Sequence, residues 1–515
     1  MKTHLIIGSQ YEHINKGCAE LIIENTDIAN DRFVYAICSG QLEYCFVYNR
    51  LYENIYGERP LTGKGLHHSK EVASANISKF IDPCKICNKN QIALYYLLKE
   101  IKVNIVIANV TSKIMQSHVW IDKLVELIVN EKWNRNNHKK NNFGEINSNE
   151  VEYCIAASKS SIITTYYDVF SPAKHKRELA IILKDAINLL LKYKELIKIE
   201  NISSGFIFNG RMHNVHIPMN ILLQNNSKVY TYECSEEWGL ESQSYSFAVN
   251  TMIQDLDERS AIYRDEFNSF TDDKKKFARE WASKWLDNRV YSLKQVGSYP
   301  QFSGRFEKSD NTKAKVNEKY DFLILPTSEF EYAGFDKISK GPLGTQLDAY
   351  MEIAEKFPNA SYAVRLHPNS SNRDEEYIQK LCSKLTELIP SIKIYEPAST
   401  TNTYNLIRDS KIVVSGFSLA LIEAIHIGKK VITTTPSLYS AFIPDFCLTK
   451  NHELSSQIRK GNKEIFETTP SKNHQQLAAE YAFMLNNHIR VKYLNRIKLS
   501  SNYRYMLRKE LYWYN

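Results

Sequence analysis

Residues 320–326 read Tyr320-Asp321-Phe322-Leu323-Ile324-Leu325-Pro326, a short apolar run closed by proline. Such a run, ended by a residue that cannot donate to a ladder, predicts a strand buried on both faces. Beyond Pro326 the pattern alternates in type. Helical spacing over Thr345–Lys356 leads to a strand at Ala360–Leu366, a helix at Asp374–Leu388 and a strand at Ile392–Tyr395. A helix at Thr403–Asp409, a strand at Lys411–Ser415, a helix at Ser418–Ile427 and a strand at Val431–Thr434 complete the series. Regular alternation predicts a parallel, doubly wound sheet whose ligand site lies beyond the carboxyl ends of its strands.

Toward the N-terminus the same logic gives strands at His4–Ile7, Phe33–Ile37, Val103–Val110, Ser204–Phe208 and Lys228–Tyr232. Helical patterns fall at Gln91–Ile101, Ile121–Glu131, Lys176–Ile197 and Asp272–Asp287, and the Asn- and Lys-dense stretch 134–149 reads as a loop. The expected fold class is α/β: two doubly wound, Rossmann-like domains facing a cleft, with a C-terminal helical segment. The expected boundaries are an N-terminal α/β domain over 1–303, a polar linker over 304–319, a second α/β domain over 320–470 and a basic helical segment over 471–515.

The 515 residues carry 66 Lys+Arg against 58 Asp+Glu and nine cysteines. That length supports more than one domain with its own core. Nine sparse cysteines argue against a secreted disulfide framework. No apolar run is long enough to cross a membrane, and Met1–Gly8 is too short an apolar stretch for a signal peptide, so a cytoplasmic protein is expected. Cys84 and Cys87 form the one Cys-x-x-Cys pair. His67 and His68 could complete a metal set, but two thiols buried in a turn are the commoner case, and no metal is expected.

The modest positive charge does not demand nucleic acid, and no nucleic-acid-binding signature is present. The excess gathers at 488–515, where Arg490, Lys492, Arg496, Lys498, Arg504, Arg508 and Lys509 alternate with Tyr493, Tyr503, Tyr505, Tyr512, Trp513 and Tyr514. This composition suits either peripheral contact with an anionic inner-membrane surface or a helix packed back on the domains with a solvated basic face.

Three strand-end loops of the second half carry the chemistry. They are Pro326-Thr327-Ser328-Glu329, Arg365-Leu366-His367-Pro368 and Ser415-Gly416-Phe417-Ser418. Ser415, Gly416 and Ser418 precede a helix, whose first N–H groups suit a phosphate; a simple helix cap is the bland alternative. Arg365 and His367 lie two residues apart, the spacing of a phosphate clamp, and Glu423 could accept both hydroxyls of a ribose. In the first half, Asn209, Gly210 and Arg211 follow a strand, and Glu233 follows another. The Asn-Gly pair is either a tight turn beside a surface arginine or a site for acceptor hydroxyls or a sugar carboxylate. There is no Gly-x-Ser-x-Gly, no phosphate-binding Gly-rich loop with Lys-Ser/Thr and no Gly-x-Gly-x-x-Gly.

Ser415–Ile432, SGFSLALIEAIHIGKKVI, resembles the donor-site signature of GT-B glycosyltransferases. Arg365–Pro368 is similar to the His-Pro motif of bacterial capsule and lipopolysaccharide transferases, including Kdo- and sialyl-type enzymes that use CMP-sugars. Ser328–Gly334 resembles their Ser-x-x-Glu-Tyr segment, Phe206–Arg211 their Asn-Gly-Arg turn, and Tyr232-Glu233 their strand ending in Glu. The likeness is patchy over about 150–435 and departs at Phe417 and Lys430, where the group often has Ser and Pro.

The resemblance implies a metal-independent glycosyltransferase moving a sugar from a CMP- or UDP-linked donor to a growing bacterial surface glycan, with no cofactor. It implies donor binding by Ser328, Glu329, Arg365, His367, Ser415, Gly416, Ser418 and Glu423, with His367 also catalytic. Glu233 is the expected base, with Glu236 and Glu237 as candidates after it. Asn209, Arg211 and Glu236 are expected at the acceptor, a glycan or lipid-linked glycan. A GT-B-like sugar-nucleotide epimerase and a non-catalytic scaffold of a polysaccharide-assembly complex are the alternatives.

Overall fold

A computed structural model describes residues 1–8, 12–37, 94–110, 119–130, 132–133, 146–166, 173–234, 244–291, 320–327, 335–367, 375–397, 399, 401–467, 470–487 and 491–493. The chain forms two compact units, Met1–Gln254 with Arg490–Asn515, and Asp255–Ile489. Cys84, Cys87, His67, His68, the expected linker 304–319 and the tail beyond 493 lie outside the described residues.

The first unit runs β1 (Thr3–Ile7), α1 (Glu12–Asn25), β2 (Arg32–Ile37), β3 (Asn104–Asn109), α2 (Val119–Val129), α3 (Ser148–Tyr166) and α4 (Lys176–Glu200). It continues through β4 (Ile202–Phe208), α5 (His213–Gln224), β5 (Lys228–Cys234) and β6 (Ser244–Val249). Among the described residues its sheet has seven strands, in the order Val491–Tyr493, β6, β5, β4, β1, β2, β3. Strands β5, β4, β1, β2 and β3 are mutually parallel. The chain leaves β1 toward β2 on one side and returns to β4 on the other, which puts the switch point between β1 and β4.

Helix α4 shows why such patterns are readable. Leu179, Ile182, Leu183, Ala186, Ile187 and Leu190 recur at three- and four-residue spacing and are buried. Asn201, with φ 48°, ends the helix in the left-handed conformation, its N–H donating to Ile197 O. At the opposite, amino end of the sheet, buried His4 lies 2.7 Å from Ser204 Oγ and 3.0 Å from Asp31 Oδ2. It ties β1 to β4 and to the entry of β2.

The second unit begins with α6 (Leu256–Asn268) and α7 (Asp272–Tyr291). Its α/β series is β7 (Tyr320–Leu325), α8 (Gln346–Lys356), β8 (Tyr362–Arg365), α9 (Glu375–Leu388), β9 (Lys393–Tyr395), α10 (Thr403–Arg408), β10 (Ser410–Ser415), α11 (Ala420–His426) and β11 (Lys430–Thr433). Helices α12 (His452–Arg459) and α13 (Lys472–Asn487) follow. The order β11-β10-β7-β8-β9, parallel throughout, places the switch point between β7 and β10. The α/β class and the two doubly wound sheets are as expected.

Two boundaries differ from the sequence reading. The first unit ends at Gln254 rather than 303, because α6 and α7 belong to the second core. Ala278, Ala282, Trp285 and Leu286 of α7 share a buried cluster with Leu421, Ile422, Ala478 and Ala482. An amphipathic helix announces that a face must be covered, not which domain covers it. Nor is 471–515 one helical segment. Helix α13 stops at Asn487, and Val491–Tyr493 is a strand antiparallel to β6, with Val491 opposite Ser246. No helix of the described residues is long and apolar enough to cross a membrane.

Candidate functional site

In the second unit the expected strand ends meet at the switch point. Ser415 closes β10, is fully buried, and its hydroxyl donates to Leu325 O at 2.6 Å. That bond ties β10 to β7, so Ser415 positions the site rather than offering a free donor. Gly416 comes next, and its role is spatial. A Cβ there would lie 2.8 Å from Thr327 Oγ1, 3.1 Å from Thr435 Oγ1 and 3.2 Å from Gln346 Oε1. Polar atoms from two strand-end loops and the start of α8 thus converge where no side chain fits, which is how a backbone comes close to a ligand.

Gln346 holds this arrangement. Its Nε2 donates to Thr327 O at 2.6 Å, while Oε1 accepts from Thr327 N and Oγ1, both at 3.1 Å, and from Tyr350 O–H at 2.9 Å. Thr433 Oγ1 donates to Gly416 O. The buried Thr435 hydroxyl has no hydrogen-bond partner among the described residues. Ser418 is half-buried, its Oγ accepting from Ala420 N at 3.3 Å, and Tyr439 O–H donates to its carbonyl at 3.1 Å.

Two expected ligand contacts are engaged elsewhere. Arg365, 4% exposed, donates through Nη1 to Glu396 O and through Nη2 to Ser399 O at 3.1 Å. It anchors the turn after β9 instead of standing free as a phosphate clamp. Glu423 is buried; Arg289 Nε donates to one oxygen and Tyr404 O–H to the other at 3.1 Å. Burial opposes the Arg289 charge, yet Glu423 and Tyr404 hold that pKa above its usual value. The carboxylate expected at a ribose therefore joins α11 to α7 and α10. His367 stands two residues past Arg365, exposed at the strand end. Surrounding protein first, then the Arg365 charge, lower its pKa, which favours the neutral imidazole. Ser328 and Glu329 lie outside the described residues.

In the first unit, β4 ends in two left-handed residues, Asn209 at φ 59° and Gly210 at φ 86°. Asparagine tolerates this backbone, whereas Gly210 is required, since a Cβ would also lie 3.0 Å from Met219 Sδ. Asn209 Nδ2 donates to Glu233 Oε2 at 2.9 Å, and Asn209 Oδ1 accepts from Arg211 N at 3.2 Å. Gln254 Nε2 reaches the same Glu233 oxygen at 3.5 Å. His216, whose Nδ1 donates to Gly210 O at 2.9 Å, is held neutral by burial, its pKa lowered to about 4. His213, beside it, is likewise lowered to about 4 by burial. The structure brings Asn209, Arg211 and Glu233 together at the carboxyl end of this sheet. Glu236 and Glu237 lie outside the described residues.

Sequence reading names Thr327 only as part of its strand-end loop and misses Gln346, Thr435 and Gln254. The run Thr433-Thr434-Thr435 at a fourth strand end was the available signal, and nothing local marked the two glutamines. Among the described residues no group of three His, Cys, Asp or Glu side chains could hold a metal ion.

No protein-family profile and no curated protein matches the chain. Solved structures with a similar trace include the β-Kdo 2,7-transferase KpsC of Thermosulfurimonas dismutans, at 14% identity over 56% of this chain and 79% of that one, with TM-score 0.31. UDP-GlcNAc 2-epimerase of Neisseria meningitidis, bound to UDP-GlcNAc, matches at 11% identity over 93% and 96%, with TM-score 0.22. Anabaena HepE, in complex with UDP and glucose, matches at 8% identity over 99% and 100%, with TM-score 0.23. At such scores none of them assigns chemistry to this chain; its own residues must do so.

Proposed function

We propose that the chain is a GT-B-type glycosyltransferase of surface-polysaccharide assembly, moving a sugar from a CMP- or UDP-linked donor to a growing glycan. The observation that carries the reading is the Gly416 cradle, where Thr327, Gln346 and Thr435 surround a backbone position that admits no side chain. It lies at a switch point, where open α/β sheets take nucleotides. The second unit is assigned the nucleotide-sugar, through Gly416, Ser418, Thr327 and His367, with Ser328 and Glu329 next in sequence after Thr327. Ser415, Arg365 and Glu423 are positioning residues in this reading. The first unit is assigned the acceptor.

In transfer, an acceptor hydroxyl oxygen forms a bond to the anomeric carbon while the bond from that carbon to the nucleotide's phosphate oxygen breaks. The phosphate leaves with the electron pair, and Glu233 takes the acceptor proton. Asn209 and Gln254 hold the Glu233 carboxylate by donating to it. Neutral His367 donates a hydrogen bond to the departing phosphate oxygen.

The test is a thermal-shift panel with CMP, UDP, GDP and ADP on the native chain and on His367→Ala. Stabilisation by one nucleotide, weakened by the substitution, supports both the donor class and the site. Donor turnover without any acceptor would redirect the reading to an epimerase. A scaffold is the second reading, favoured by the internal engagement of Ser415, Arg365 and Glu423; absence of any nucleotide shift selects it.

A further inference from the structure

Arg211 is 9% exposed, and its guanidinium has no hydrogen bond and no ion pair among the described residues. Only its main-chain N–H is engaged, by Asn209 Oδ1. A buried cation without a counter-charge is costly, and proteins ordinarily pair it or expose it. The histidines nearest in sequence do not alter this balance, since burial holds both His213 and His216 neutral. Arg211 also stands one residue before the N-cap of α5, a helix of 12 residues. That N-cap, Met212, makes no side-chain cap, and the first turn has no acidic residue. Ser161 Oγ accepts from His213 N at 3.0 Å, so the helix start already has an acceptor, and the guanidinium is the positive feature left without one among the described residues.

A second orphan belongs to the same cluster. Gln254 donates to Glu233, but its Oε1 is buried with no partner among the described residues. An unsatisfied acceptor calls for a donor such as a hydroxyl, just as an unsatisfied guanidinium calls for an oxyanion.

We propose that the turn Asn209–Arg211, with Glu233 and Gln254, binds an acidic sugar, taking its anionic group at Arg211 and a hydroxyl at Gln254 Oε1. The inference rests on assigning the acceptor to the first unit. A neutral sugar leaves Arg211 uncompensated, so the site discriminates by charge. The anionic group can be a carboxylate or a phosphate, which share the oxyanion geometry that a guanidinium reads.

The test is a melting-temperature series on the full chain with glucuronate, N-acetylneuraminate, glucose 6-phosphate and glucose, with sodium sulfate as an ionic control. Native protein should be stabilised by glucuronate and N-acetylneuraminate if the group is a carboxylate, or by glucose 6-phosphate if it is a phosphate, and not by glucose. Arg211→Met should bind the active acid at least about tenfold more weakly. It should melt no lower than the native chain, because it removes an unpaired buried charge. Arg211→Lys should keep part of the response. Equal shifts with acid and sulfate, no shift with any acid, or an undiminished response in Arg211→Met would overturn the proposal. The readout involves no nucleotide: loss of acid-sugar binding with an intact nucleotide response rejects this inference alone, and the converse rejects the transferase reading alone.

Discussion

Two buried arginines, one in each unit, lie at or just past the carboxyl ends of strands and differ in their surroundings. Arg365 is 4% exposed; its Nη1 and Nη2 donate to main-chain oxygens of the turn after β9, and its Nε alone lacks a partner among the described residues. Arg211 is 9% exposed, and its guanidinium has no partner among the described residues. Sequence reasoning assigns ligands to both. Burial of a cation therefore says little by itself; what separates a structural arginine from a recognising one is whether the fold has already supplied its acceptors.

The sharpest way to break this contrast is Arg365→Met. It strands buried carbonyls and should cost roughly 3 kcal/mol in a denaturant titration of the second unit. A loss as small as that of Arg211→Met would erase the distinction. Gly416→Val comes next, forcing a side chain among Thr327, Gln346 and Thr435; about 2 kcal/mol of strain is expected. Calorimetric titration with the active nucleotide should then show no binding, and normal affinity would remove the cradle from the site. His367→Ala should lower transfer by at least about tenfold with an unchanged melting temperature.

The smallest effect concerns the first unit. His213 and His216 have folded-state pKa values of about 4 against an ordinary 6.5. An unfolded chain binds more protons than the folded one between these values, so stability is full above pH 6.5 and declines as pH falls toward 4. His216→Asn, able to donate to Gly210 O, should flatten that decline in melting temperature; an identical slope would show that neither protonation nor this histidine sets it.

Strands such as Tyr320–Leu325 and helices such as Lys176–Glu200 were legible because their periodicity and end residues are local. The positions of Gly416, His367 and Asn209 at strand ends were legible for the same reason. What each polar side chain does there was not. The partner of Glu423 is Arg289, on a helix far back in the chain, and the acceptors of Arg365 are carbonyls of a turn with no motif. Whether a carboxylate or guanidinium is already occupied depends on tertiary neighbours that no local pattern names. The domain boundary at Gln254 escaped for the same reason, since α7 carries its apolar face without an address.

The strand Val491–Tyr493 bears on how the protein is made. The chain completes most of the first sheet, builds the whole second unit, and then returns to cover β6. At ribosomal speeds of ~5–20 residues per second, the roughly 240 intervening residues take about 12–50 s to emerge. For that interval β6 presents an open hydrogen-bonding edge to every neighbouring nascent chain. Holding the newborn first unit apart from its copies, until Val491–Tyr493 arrives, is the task this topology hands to the cell.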